Sequence, residues 1–130
     1  MPENISLEVP ATLSALSTVR MVLGGLGARL DFSLEDLDDL FLATDSLLEA
    51  ALEAEPLDSL RIEMAVEGVT LRVVTGTFRS GALRAQVAIT PGGCIDLCTL
   101  LQRLVDDVIV QEGDGSFSVV IVKHSSGAGA

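Results

Sequence analysis

Asp45 and Glu49 stand four residues apart in the stretch DLDDLFLATDSLLEAALEA, the separation that brings two side chains together on one side of a helix. Two carboxylates so placed can hold a hard cation, which prefers oxygen ligands, or they can simply be solvated. Cys94 and Cys98 show the same spacing in CIDLC. With no histidine or further cysteine nearby they fall short of a zinc site, and two cysteines are too few for a disulfide framework. They are expected as reduced, half-buried thiols on one helix face. The single histidine, His124, lies next to SSGAGA and has no triad or metal constellation around it.

The elements that must carry these residues follow from hydrophobic spacing. Over residues 33–54 apolar side chains recur at Leu37, Leu40, Phe41, Ala43, Leu47, Leu48, Ala51 and Leu52, the pattern of one buried helix face. Ser33 is placed to cap this helix, with Asp36 three residues on to complete a capping box and further acids to suit the helix dipole. An earlier helix is predicted over residues 12–30, with Leu13, Leu16, Val19, Val22, Leu23 and Leu26 inward. Gly24, Gly25 and Gly27 weaken its second half and point to close packing or an early end. ISLEV alternates as a short strand that Pro10 ends, and LRIEMAV and VTLRVVT flank Glu67-Gly68, predicted as a two-residue hairpin turn.

The segment GTFRSGALRAQVAITPGG is the least regular, with a short strand expected around Leu83 to Ile89. A third helix is predicted over residues 94–107, with Ile95, Leu97, Leu101, Leu104 and Val105 inward. VIVQEGDGSFSVVIVK then reads as a hairpin turning through Glu112 to Gly115, and residues 124–130 as a flexible tail. There is no internal repeat and no long linker, so residues 1–123 are expected to form one domain. The order implies an α/β two-layer sandwich: a mostly antiparallel, mixed sheet of four or five strands, covered on one face by three helices.

A chain of 130 residues, 48% hydrophobic and 21% charged, can bury one such core. No run approaches the length of a membrane span, and MPENISLEVP has neither the basic start nor the apolar run of a signal peptide, so a cytoplasmic location is expected. Nineteen acids against eight bases leave a net charge of -11. That charge argues against nucleic acid or an anionic membrane as partner and favours a basic protein segment, with Glu35, Asp36, Asp38 and Asp39 the densest acidic run.

This element order, together with VRMVLGGLGARLDFSLEDLDDLFLATD, resembles the anti-sigma-factor serine kinases of the GHKL superfamily, whose histidine-kinase-like ATPase domain has the Bergerat fold. The likeness covers about residues 5–123. Phe32, Ser33, Glu35, Asp36, Asp39, Leu40 and Ala43 match the family's run into its nucleotide site without a gap. Such proteins bind ATP and magnesium, bind sigma factors and phosphorylate anti-sigma antagonists. The resemblance therefore implies a protein partner of sigma-factor or antagonist type, and a homodimer joined through first-helix and sheet residues.

The chain departs from the family at the nucleotide motifs. The family's general-base Glu and magnesium-ligating Asn fall, in the gapless register, on Ser46 and Ala50. A hydroxyl is a poor proton acceptor, and a methyl group cannot ligate a hard cation. Shifting the register by one residue would put Asp45 and Glu49 there at the expense of the upstream matches. Thr75 takes the place of the adenine-reading Asp, with Gly76 and Phe78 as echoes of the first glycine motif. The second glycine motif, where backbone N–H groups approach phosphates at a helix start, aligns with CIDLC. Gly92 and Gly93 lie just upstream as displaced remnants, and Asp96 adds a like charge facing the phosphates.

Four requirements of phosphoryl transfer are missing together, and that chemistry rests on metal and positioning. The expectation is a non-catalytic regulatory protein with no cofactor, no metal and no catalytic residues. Two alternatives stand beside it. One is an ATP- and magnesium-binding serine/threonine kinase with a divergent site built from Asp45, Glu49, Thr75 and Gly92-Gly93. The other is a plain dimerisation module.

Overall fold

The computed structural model describes residues 3–87 and 97–126. Strand β1 (Glu3–Pro10) leads through a single 3-10 turn (Leu13–Ala15) into α1 (Leu16–Arg29) and α2 (Leu34–Ala54). The hairpin β2 (Ser59–Glu67) and β3 (Thr70–Phe78) follows, then α3 (Gly81–Val87), α4 (Leu97–Leu104) and the hairpin β4 (Asp107–Glu112) and β5 (Phe117–His124). The strands form one sheet in the order β1-β2-β3-β5-β4, with every neighbouring pair antiparallel. After β3 the chain therefore crosses by way of α3 and α4 to the far edge, and β5 returns to lie between β4 and β3. The expected sandwich has formed, with five strands and no parallel pairing among the described residues.

Alternation along the strands places Leu60, Ile62 and Met64 of β2, Leu71 and Val73 of β3, and Val119 and Ile121 of β5 in one core. The same core takes Leu16, Val19, Leu23 and Leu26 from α1 and Leu40, Ala43, Leu47, Leu48 and Ala51 from α2. Each large side chain buried there is worth about 1.5–3 kcal/mol, so the helices are held by packing far more than by propensity.

The ends of the helices are set by local chemistry. At the start of α2 the Asp36 N–H donates to Ser33 Oγ at 3.0 Å and the Ser33 N–H donates to Asp36 Oδ2 at 3.1 Å, which is the expected capping box. α1 stops where Asp31 enters the left-handed region at φ 57. There the Phe32 N–H reaches the Gly27 carbonyl at 2.9 Å and the Asp31 N–H reaches Ala28 at 3.3 Å, a Schellman closure. A Cβ on Gly27 would press into the Leu37 side chain and lie 3.3 Å from Phe32, so this glycine serves the close packing of α1 on α2.

Five expectations are corrected. Leu13 is 67% exposed and not inward, because it sits in the 3-10 turn and not in α1. The hairpin turn is Gly68-Val69 and not Glu67-Gly68: Glu67 pairs with Thr70, and Gly68 takes φ +60. The segment expected as a strand at Leu83 to Ile89 is helix α3 up to Val87. Ser80 Oγ caps it by accepting the Leu83 N–H at 3.1 Å, and its buried residues Leu83 and Val87 are four apart, a helical spacing. The third predicted helix is shorter than residues 94–107 within the described residues, since Asp107 already belongs to β4, while Cys94 and Ile95 lie outside them. Of the tail expected at residues 124–130, His124 instead closes β5 and the Ser125 N–H donates to the Val69 carbonyl at 2.8 Å, while residues 127–130 lie outside the described residues.

Candidate functional site

Helix α2 was the expected carrier of acid chemistry, and its two candidate carboxylates have different surroundings. Asp45 is half-buried and forms an ion pair with Arg20 of α1. The same guanidinium lies over the Phe41 ring, 5.4 Å from its centroid, so the arginine is fixed by charge and by the aromatic face together. Glu49 is exposed one turn further on and borders a hollow with Leu13, Leu52 and Glu53. Ser46 and Ala50 are half-buried, and Ala50 packs against the core. Among the described residues no three His, Cys, Asp or Glu side chains gather where they could hold a metal ion.

At the end of β3, Thr75 is fully buried, and its hydroxyl donates to the Val119 carbonyl of β5 at 3.2 Å. Gly76 follows at φ +146, where the register between β3 and β5 shifts. A Cβ there would lie 2.8 Å from Ser118 Oγ and 3.1 Å from Ser118 Cα, which only glycine avoids. Phe78 is buried, its ring 5.7 Å from that of Phe117. Cys98 is buried and not half-buried. Gly92, Gly93, Cys94 and Asp96 lie outside the described residues.

The densest polar arrangement joins residues that the motifs did not single out. Asp36 is buried, and its Oδ2 accepts from the Ser126 N–H at 3.0 Å and the Ser126 hydroxyl at 2.8 Å, besides the Ser33 N–H at 3.1 Å. Lys123 is buried beside it, donating to the Leu104 carbonyl at 2.9 Å with its Nζ 3.9 Å from Asp36 and 3.7 Å from Asp39. Burial pushes the Asp36 carboxyl up, but the bonds from Ser126 and Ser33 outweigh it and hold the group below its ordinary range. The acidic run is thus split in use: Asp36 is consumed inside, Asp39 leans toward Lys123, and Glu35 and Asp38 face solvent. Two signals pointed here. Asp36 precedes Leu40 by four on the buried side of α2, and Lys123 continues the inward alternation of Phe117, Val119 and Ile121.

No protein-family model matches the chain, and no curated protein matches it. Among solved structures, its fold is similar to the crystal structure of the RsbU and RsbW domains of Rv1364c from Mycobacterium tuberculosis, with a TM-score of 0.67 and 20% identity. The match covers 94% of this chain and 32% of that one, so this chain spans about a third of the length of the solved chain it matches. The structural neighbour is the RsbW domain, and the likeness carries the fold: the sandwich implied by the resemblance to the GHKL serine kinases is the one this chain adopts. Among the described residues no helix is long and apolar enough to cross a membrane.

Proposed function

We propose that this chain is a cytoplasmic, non-catalytic regulator that keeps the anti-sigma-kinase fold for binding a protein partner, of sigma-factor or antagonist type, and not for transferring phosphate. The observation that carries the reading is Thr75. Its hydroxyl is buried and already spent on the Val119 carbonyl, so it does not present an adenine-reading group to a ligand. ATP and magnesium fit the remaining positions poorly. Ala50 offers a methyl group in place of a metal-ligating oxygen, and Asp45, which the shifted register would put at the base position, is paired with Arg20.

The outward side of α1 supports a binding role. Ser17, Thr18, Met21, Gly25 and Ala28 are exposed there, Met21 at 75%, and the exposed charges of the helix, Arg20 and Arg29, are both basic in a chain of net charge -11. A second copy or a partner can approach this side without acid facing acid. The test is capture of a partner by the immobilised chain in nucleotide-free buffer, with Met21→Asp as the control, followed by incubation with γ-labelled ATP. The reading predicts capture by the parent chain, loss of capture by the variant, and no label on the partner. Label on a partner serine would overturn it.

A further inference from the structure

The chain from Lys123 to Ser126 crosses the end of the sheet and the start of α2, and every residue of it is tied to a different element. Lys123 holds the end of α4 through the Leu104 carbonyl at 2.9 Å. The His124 N–H donates to Asp106 Oδ2 at 2.7 Å, and its ring Nδ1 shares a hydrogen bond with Thr70 Oγ1 at 2.7 Å. Ser125 reaches the Val69 carbonyl at 2.8 Å through its N–H and the Asp31 carbonyl at 3.4 Å through its hydroxyl. Ser126 puts both its N–H and its hydroxyl on the one oxygen Asp36 Oδ2. These four residues form a strap that clamps the α1–α2 corner to the β2–β3 turn and to β5, and Asp36 is its seal.

The seal is sensitive to charge. Ser126 donates to a buried carboxylate with the Asp39 carboxylate close by, and Lys123 is the one cation placed near both among the described residues. Ser126 is itself exposed, so its hydroxyl can be reached from solvent once the hydrogen bond opens. A dianion at this oxygen would remove a donor and set two negative charges against two carboxylates served by a single lysine. Repulsion of this kind undoes local structure.

We propose that Ser126 is a modification site at which phosphorylation releases the strap. In the reaction Ser126 Oγ bonds to the γ-phosphorus of a nucleoside triphosphate held by a separate protein kinase. The bond from that phosphorus to the β-phosphate oxygen breaks, the hydroxyl proton goes to the kinase's base, and nucleoside diphosphate leaves. The consequence is local: the capping box at Ser33 and Asp36 loses its outer cover, and the α1–α2 corner loosens while the sheet stays folded. This goes beyond partner binding and stands without it.

The test is amide hydrogen exchange by NMR on the full chain with phosphoserine placed at position 126 during translation, beside Ser126→Glu and Ser126→Ala. Ser126→Ala loses the hydroxyl but keeps the N–H bond, so exchange at Asp36 and Leu37 should rise by less than about threefold. The phosphoserine and Ser126→Glu chains should show a rise of about tenfold or more there, with amides of β2 and β3 unchanged. Should Ser126→Glu unfold altogether, the double variant with Asp36→Asn is decisive: with the Asp36 charge gone and Lys123 left to offset Asp39, Ser126→Glu should add less than about threefold to the effect of Asp36→Asn alone. Equal exchange in the Ala, Glu and phosphoserine chains, slower exchange with phosphate because Lys123 pairs with it, or a full Ser126→Glu effect in the Asp36→Asn background would each overturn the proposal.

Discussion

Replacing Asp36 with alanine removes the acceptor of three hydrogen bonds, from the Ser33 N–H, the Ser126 N–H and the Ser126 hydroxyl. It also leaves the buried Lys123 ammonium with Asp39 alone, 3.7 Å away and on the wetter side. Bonds to a charged acceptor contribute about 1.5–3 kcal/mol each net, and stranding a buried charge adds to the loss, but relaxation and water entry return much of it. We expect a destabilisation of about 3 kcal/mol at neutral pH. For a chain of this size that is a fall in melting temperature of roughly 10 °C, which a stability of 5–15 kcal/mol survives.

The dependence on pH distinguishes this cause from simple loss of packing. The folded state holds the Asp36 carboxyl below its ordinary value, while in the unfolded chain an aspartate titrates near about 3.9. Its stabilisation is therefore fully present above the unfolded value and is lost as pH falls through the lower folded value. Urea unfolding of the parent chain and of Asp36→Ala, followed by circular dichroism from pH 7 down to the lowest pH at which both fold, should show the gap closing in the acid range. A gap under about 1 kcal/mol at pH 7, or one of the same size at every pH, would refute the reasoning.

Asp39→Ala, one-third exposed and making the looser contact to Lys123, should cost under about 1 kcal/mol in the same urea assay. Gly76→Ala should destabilise by about 2–4 kcal/mol, because the added Cβ meets the Ser118 backbone and the residue sits at φ +146; a melting temperature within 2 °C of the parent, roughly 0.5 kcal/mol, would contradict this. Thr75→Val should be tolerated within about 1–1.5 kcal/mol and leave nucleotide behaviour unchanged, since the hydroxyl serves only Val119 among the described residues. Light scattering should give twice 13.6 kDa at micromolar concentration, falling toward 13.6 kDa in Met21→Asp, if the acid-free side of α1 joins two copies.

Much of the architecture was readable because its causes are periodic or local. The capping box of α2 and the burial of Leu40, Ala43, Leu47, Leu48 and Ala51 follow from spacing and formed as the pattern implies, while Phe41 is only half-buried and Thr44 is buried unannounced. The misreadings arose where short elements leave few repeats. GALRAQV has only Leu83 and Val87 to announce a helix, and its cap, Ser80, is ambiguous without the fold around it. Leu13 fits the helical face by number but precedes the first α turn. At the candidate site, the residue types at Ala50 and Thr75, on which the proposed reading rests, were legible directly in the sequence. The fates of Asp45 and Asp36 were not, because Arg20 and Ser126 reach them across 25 and 90 residues of sequence.

Calorimetric titration of magnesium-ATP into the unmodified chain tests most directly whether the fold has outlived its nucleotide chemistry. The reading predicts heats indistinguishable from dilution up to millimolar ATP, with no saturable rise in melting temperature, since a ligand stabilises only as RT ln(1 + [L]/Kd). Restoring Asn at Ala50 and Asp at Thr75 should not bring binding back. A micromolar dissociation constant for the unmodified chain would contradict it and return Asp45 to the role of base and Glu49 to that of magnesium ligand.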